Sequence, residues 1–546
     1  MNSILRDLRY AVRVLRKKPA FAAVAVLTLA IGIGANVAVF TMLNGILLKS
    51  LPYPQPQQLY TIDEVVPQLT RYFPWWPANS GNFLLWQKRC TDFAGMAALR
   101  ATTLTLTGRG TPRQLKAVRV SANFFSLIGT RPQFGRTFRP EEDQLGRDHE
   151  VILSHQLWAQ AFSSNPGIVG QAVDLNGESY TVVGILPASF RFPSVLDETP
   201  EIFKPLGLEK YELEAGVGDF NYEVIARLKP GATYQQALAQ LDVVENQIAH
   251  QGNASAGLPG HFDLRALVRP LKTVVVGPAQ QALWMLMVAA LFVLLIVCVN
   301  LANLMLVRNA GRVHEVALRS ALGATRWRLA RQMVTEAVIL VAAGGALGLL
   351  FAEWGLQLLV RNAPIGIPRV DAVQMDPRVL AFSLGVCVFA VLVFAFLPAL
   401  RLTRVHPSEA LKTAGPTASG GKASARLRAA LVTGEIALCG VLLAGSILLI
   451  QSLAHVVKQN GWMEENHVIS ADLAVAPNQY KDSAERARFY SNVLQKVEAL
   501  PGVEAAGLVN KLPLLGNQWG DPIKFREAPQ LGKESVVSQY RFASPG

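Results

Sequence analysis

Long uncharged stretches, separated by segments of mixed polarity, set the frame of this chain. Residues 19–48, 273–307 and 379–400 contain no charged side chain. Residues 337–352 lie between Glu336 and Glu353, with apolar character reaching outward to about Met333 and Leu359, and 429–454 hold one acid, Glu435. A helix needs about 20 mostly apolar residues to cross the hydrocarbon of a bilayer. The pattern therefore predicts five membrane-spanning helices, at 19–48, about 280–306, about 334–359, about 379–400 and 427–454. The apolar core of the first exceeds the roughly 7–15 residues of a secretory signal, so it is expected to remain as an anchor.

Between the first two spans the periodicity changes. Ala172–Leu175 and Ser179–Ile185 alternate around Asn176-Gly177, the strongest short-range hairpin signal. Val151–Leu153 reads as a strand, with Ser154 capping a short helix through Phe162. Tyr222–Leu228 and Phe262–Val268 read as strands flanking a helix capped by Thr233, in which Ala237, Leu241, Val244 and Ile248 recur at helical spacing. The tail repeats part of this scheme. Val468–Val475 reads as a strand, Ala487, Tyr490, Leu494 and Val497 mark an amphipathic helix, and Val503–Val509 reads as a strand.

The fold class expected is an α-helical polytopic membrane protein with a large α+β extracytoplasmic domain. Its parts are a cytoplasmic amphipathic helix (1–18), the first span (19–48), an external domain (49–272), a membrane domain with three spans (273–410), a linker of small, flexible composition (411–426), the fifth span (427–454) and the start of a second, incomplete external domain (455–546). On this reading the chain is a full unit followed by a truncated second one.

Charge sets the orientation. The 546 residues are 51% apolar and only 17% charged, against ~25% in soluble proteins, and carry a net +13. Residues 1–18, 307–334 and 401–428 each hold six Lys or Arg and one acid, +15 together, so the rest of the chain is −2. The positive segments alternate with the spans as cytoplasmic segments do. The basic excess is thus a topology signal, and not the basic face of a nucleic-acid binder. It predicts a cytoplasmic N-terminus, an external domain over about 46–279, and an external tail after about 455.

No usual catalytic pattern is complete. Gly415 to Lys422 lacks the Lys directly after the second glycine that a phosphate loop needs, because Gly421 intervenes. There is no H-E-x-x-H and no G-x-S-x-G, and the eight histidines form no metal-spaced pair. Cys298, Cys387 and Cys439 lie in apolar runs, so a disulfide framework is excluded. No cofactor is expected in this chain. The aromatic run Tyr72–Pro77 suits core packing or a membrane-surface anchor better than a ligand site. Asn300, Asn303 and Glu435 are intramembrane polar residues; helix–helix hydrogen bonding and a substrate path are both open to them. Gly344 and Gly348 form a small-xxx-small pair. Leu5, Leu8, Val12 and Leu15, with Arg6, Arg9, Arg13 and Arg16 one position on, predict an amphipathic helix on an anionic lipid surface. Arg312–Leu322 reads as a short helix with Glu315 and Arg319 at i,i+4, stopped by Gly323. It serves equally as a solvated topology loop or as the receiver of a push from a cytoplasmic partner.

Several of these segments resemble the MacB/FtsX class of ABC-transporter permeases, in particular the long tandem MacB-like permeases of soil bacteria. His314–Thr325 resembles the FtsX-family signature at which the ATPase docks, and Val405–Leu411 the second cytoplasmic signature. Val151–Trp158, Asp174–Gly177, Val182–Pro187 and Ala226–Gly231 resemble the MacB-type periplasmic core. The resemblance implies a permease subunit of an efflux transporter in the bacterial inner membrane. It implies a separate cytoplasmic ABC ATPase that binds ATP and Mg, coupling through Glu315, Arg319, Leu322, Gly323 and Glu409, a homodimer or pseudo-dimer, and a periplasmic membrane-fusion protein as a further partner. The alternative is an FtsX-like signalling subunit that controls a cell-envelope hydrolase without transport.

Overall fold

The computed structural model describes residues 2–71, 73–108, 111–193, 199–214, 220–256, 263–310, 326–362, 369–393, 422–459, 467–471, 473, 482–510, 512, 519–523, 536–540 and 542–544. The chain divides into two units, Met1–Lys49 with Val276–Ile469, and Ser50–Val275 with Ser470–Gly546. Helices α1 (Asn2–Arg16) and α2 (Pro19–Leu43) open the chain, and α2 runs on into a π-turn, Asn44–Leu48. The second unit then brings α3 (Ser80–Arg89), α4 (Phe124–Ile128), α5 (His155–Phe162), α6 (Lys210–Glu214) and α7 (Tyr234–Ala256) among its strands. Helices α8 (Leu271–Ala310), α9 (Arg326–Arg361), α10 (Pro377–Val391) and α11 (Lys422–Gln459) come next, and α12 (Ser483–Glu498) lies in the tail.

Four described helical segments are long and apolar enough to cross a membrane: Pro19–Leu48, Ala279–Met305, Arg331–Arg361 and Ala429–His455. The fourth expected span, about 379–400, overlaps the shorter apolar helix Pro377–Val391, and 394–400 lie outside the described residues. Leu29, Ile33 and Val37 of α2, Leu294 and Leu301 of α8, Leu340 and Val341 of α9, and Val386 and Ala390 of α10 form one core. α2 and α9 approach closely at glycines. A Cβ on Gly348 would lie 3.0 Å from Ala30 O and Gly34 N, and one on Gly344 2.6 Å from Leu29 Cβ. Small residues are what allow such backbone approach where hydrophobicity drives nothing between helices.

The second unit is built on a mixed sheet. Strands β1 (Leu59–Val65), β2 (Ala78–Asn79), β3 (Phe93–Thr107), β4 (Arg113–Val120), β5 (Phe134–Gly135), β6 (Glu150–Leu153), β7 (Ala172–Leu175), β8 (Glu178–Ile185), β9 (Ile202–Pro205), β10 (Phe220–Leu228) and β11 (Arg265–Pro270) run in the order β11-β1-β10-β3-β4-β9-β6-β8-β5, with β2 on β10 and β7 on β3 and β8. The long β3 pairs with β10 in its first half and with β4 and β7 in its second. It therefore joins two cores, one around Trp86, Tyr222 and Leu241, the other around Leu157, Trp158 and Val182. The Asn176-Gly177 turn has φ of 55° and 80°, the two left-handed residues of a type I′ hairpin. Ser154 accepts from Leu157 N at 3.2 Å as the cap of α5. Thr233 and Gln236 exchange bonds as a capping box on α7.

Three expected strands differ. The strand expected over Phe262–Val268 runs over Arg265–Pro270, because its ladder with β1 pairs Val65 with Arg265 and Tyr60 with Pro270. Residues 467–471 and 473 are not in a strand, and of 503–509 only Val509 forms a bridge, to Ala543. Val468 and Ile469 are exposed, and an apolar run becomes a strand only where a pairing edge and a core accept it. In the tail, β12 (Trp519–Ile523) and β13 (Val536–Tyr540) pair with each other.

Candidate functional site

The polar groups of the membrane unit concentrate at three levels. At one end, Asp7 of α1 pairs with Arg331 of α9 at 2.7 Å, and Ala11 and Leu15 of α1 are buried. The amphipathic helix is thereby tied to the start of a span, while Arg9, Arg13 and Arg16 stay exposed. Midway, the fully buried Asn36 of α2 donates Nδ2 to Gly32 O at 2.9 Å and to Ala290 O of α8 at 2.7 Å. Its Oδ1 has no partner among the described residues.

At the other end, Asp376 Oδ2 accepts from Asn44 Nδ2 at 2.8 Å and pairs with Lys49 Nζ at 3.3 Å, while its Oδ1 caps α10 at Val379 N. Burial pushes the Asp376 carboxyl up, but the bonds from Val379, Asn44 and Lys49 outweigh it and hold the group below its ordinary range.

The sequence-predicted site residues fare differently. Asn300 is exposed on α8, and Asn303 buries an Oδ1 that has no partner among the described residues. Glu435 is half-buried on α11, where Ile436, Leu448 and Ile450 are exposed. These three are not brought together with Asn36, Asn44 or Asp376 by any described bond. Glu315, Arg319, Leu322, Gly323 and Glu409 lie outside the described residues. Sequence reasoning missed Asn36 and Asn44, although each is a polar side chain inside an uncharged run.

The second unit has a dense ionic hub. Glu212 accepts from Arg119 in a two-pronged contact (2.8 and 2.8 Å), from Arg100 at 2.5 Å, from Tyr222 Oη at 2.5 Å and from Glu209 N at 2.8 Å. Burial would raise its pKa, but the bonds from Arg119 and Tyr222 bring it down to about 2. The hub fixes α6 against β3, β4 and β10. A second buried pair lies under α7: Glu64 accepts from Asn79 N and Asn82 Nδ2, and Glu245 accepts from Trp86 Nε1 at 2.7 Å. In the aromatic run, Trp75 stacks under Arg269 and Trp76 packs on Phe73 and Phe220, which is structural use. Among the described residues no group of three or more His, Cys, Asp or Glu is arranged to hold a metal ion.

Residues 22–244 match the family of the MacB-like periplasmic core domain, and residues 287–407 the FtsX-like permease C-terminal family. The chain belongs to the MacB/FtsX-like ABC transporter permeases. A macrolide export ATP-binding/permease protein MacB from Azoarcus sp. is 24% identical over 422 residues, 75% of this chain and 60% of that one. The uncharacterized ABC transporter permease YvrN of Bacillus subtilis is 23% identical over 300 residues, 54% of this chain and 69% of that one. The chain spans about half the length of other MacB proteins that it matches, 43% and 46%. Among solved structures, the periplasmic region of MacB from Actinobacillus actinomycetemcomitans aligns with a TM-score of 0.28 and 10% identity, over 45% of this chain and 96% of that one. The matches and the apolar spans together indicate a membrane protein of this permease family with a periplasmic-core domain.

Proposed function

We propose that this chain is the membrane subunit of an ABC-type efflux transporter, and that ATP hydrolysis on a separate cytoplasmic subunit drives movement of its periplasmic domain. The observation that carries the reading is the order of the two family matches: a periplasmic core over 22–244 precedes an FtsX-like permease over 287–407. The 546 residues contain no phosphate-loop motif, and the MacB relative is named as an ATP-binding protein as well as a permease. In this proposal ATP and Mg are assigned to that separate subunit.

On this reading 49–272 is the periplasmic domain, and 273–410 the permease domain of an inner-membrane protein with a cytoplasmic N-terminus. The ATPase docks on 312–322 and on the segment around Glu409. The membrane-fusion protein and pairing with a second copy belong to the same reading. Charge reversal at Arg319 tests it. Arg319→Glu is expected to reduce co-purification of the ATP-binding subunit while membrane insertion is kept. Unchanged co-purification returns the loop to a role in topology alone.

A further inference from the structure

Helix α2 does not end as an ordinary helix. Over Asn44–Leu48 it widens into a π-turn, closed by the Lys49 N–H on the Asn44 carbonyl at 2.8 Å. Such turns hold one residue more than the α-helix, are rare, and occur frequently at functional sites. Here the cause is visible, because the turn is gripped from outside by the segment that leads into α10.

Arg369 places Nη1 on the carbonyl of Ile46 at 2.9 Å and on that of Lys49 at 3.0 Å. Lys49 Nζ reaches back to Ala372 O at 3.2 Å and to Asp376 at 3.3 Å, and Asn44 Nδ2 reaches Asp376 at 2.8 Å. Gly45 lets the two backbones touch: a Cβ there would lie 2.8 Å from both Ala372 O and Val373 Cα. Asn44 Oδ1 is buried without a partner among the described residues. All of these contacts come from residues 369–376, more than 300 positions away in the chain, so the shape of the turn is set outside its own helix.

We propose that Asn44–Leu48 is a two-state joint, held in its π form by Arg369 and Asp376, which becomes α-helical by absorbing one residue when that grip is released. The geometric consequence is specific. Absorbing a residue turns the downstream chain by about 100° and advances it by about 1.5 Å. Leu48, now exposed, takes the half-buried place of Lys49, and Leu47, now buried, takes the exposed place of Leu48. The Lys49 ammonium swings away from Asp376. Use of this joint to relay force from the membrane helices rests on the function proposed above; its existence does not.

The test is cysteine labelling of the full chain in membranes with a water-soluble maleimide. In the unaltered background Leu48→Cys is expected to label several-fold faster than Leu47→Cys. Arg369→Asn cannot reach the two carbonyls but keeps a residue that accepts the left-handed backbone found there (φ 59°). Asp376→Asn keeps a cap for α10, and Lys49→Gln removes the ammonium that reaches Ala372 O and Asp376. Each is expected to reverse the labelling order, while Val37→Cys, buried in the helix core, stays protected. Unchanged order in Lys49→Gln and in either other variant, with Val37→Cys protected, overturns the joint. If the order reverses in the variants but ATP hydrolysis by the partner leaves it untouched, the joint stands and the force-relay reading fails.

Discussion

Asn36 of α2 donates its side-chain amide to the main-chain carbonyl of Ala290 on α8, 254 residues away, across 2.7 Å. The bond joins the helix that enters the periplasmic domain to the helix that returns from it, and it is fully buried. Asn36→Ala is expected to lower the stability of the membrane unit by roughly 0.5–1.5 kcal/mol, the range of interhelical hydrogen bonds in lipid. Thermal unfolding in detergent measures it, and a change near zero shows that Ala290 O is as well served by its own helix.

The α2–α9 contact depends on missing side chains. Gly348→Val places atoms against Ala30 O and Gly34 N, whereas Gly355 on the same helix has nothing within 4 Å of a Cβ. Gly348→Val is therefore expected to destabilise by ~1–3 kcal/mol, as overpacking does, and Gly355→Val to be near neutral. Comparing yields of monodisperse protein and melting temperatures separates the two; equal effects remove the close-approach account.

Burial pushes the Glu245 carboxyl up to about 8, against the bond from Trp86 and with the help of Asp242, and burial beside Glu245 also raises Glu64. Asp63 and the Cys90 thiol face the same region and are raised too. A carboxyl raised on folding holds an extra proton in the native state, so its contribution is complete below the ordinary carboxylate range and is lost as pH rises toward 8. Stability of the periplasmic domain is expected to fall between about pH 5 and 8. Glu245→Gln, which still accepts from Trp86, is expected to flatten part of that slope, with Glu64 supplying the remainder. Tryptophan fluorescence during thermal unfolding at several pH values reads it, and an unchanged slope assigns the dependence elsewhere.

Much of the architecture could be read from local pattern. The Asn176-Gly177 hairpin, the Ser154 cap and the Thr233 capping box are set by residues within a few positions of each other, and the spans by runs without charge. What escaped was assembled from a distance. Arg100, Arg119, Glu212 and Tyr222 come from four separate elements, and nothing near Glu212 announces three donors. The π-turn at Asn44 is imposed by residues 369–376. Asn36 escaped because its acceptor is a backbone carbonyl, which no sequence pattern marks. The tail departs for the converse reason: Val468 and Ile469 are exposed, and of 503–509 only Val509 finds a partner, in a bridge to Ala543.

The charge pattern predicts which loops face outward. Cysteines introduced at Gly177 and Gly502 are expected to react with a membrane-impermeant reagent in sealed cells, and one at Gly323 is not. Labelling at Gly323 from outside contradicts the orientation.

The most direct measurement is the ATP hydrolysis rate of the cognate ATP-binding subunit, reconstituted in bilayers with and without this chain. The account predicts no hydrolysis by this chain alone. It predicts a rate that changes several-fold when the chain is present, and loss of that change in Arg319→Glu with the protein still inserted. Hydrolysis by the chain alone, or a partner rate indifferent to the chain, would contradict it.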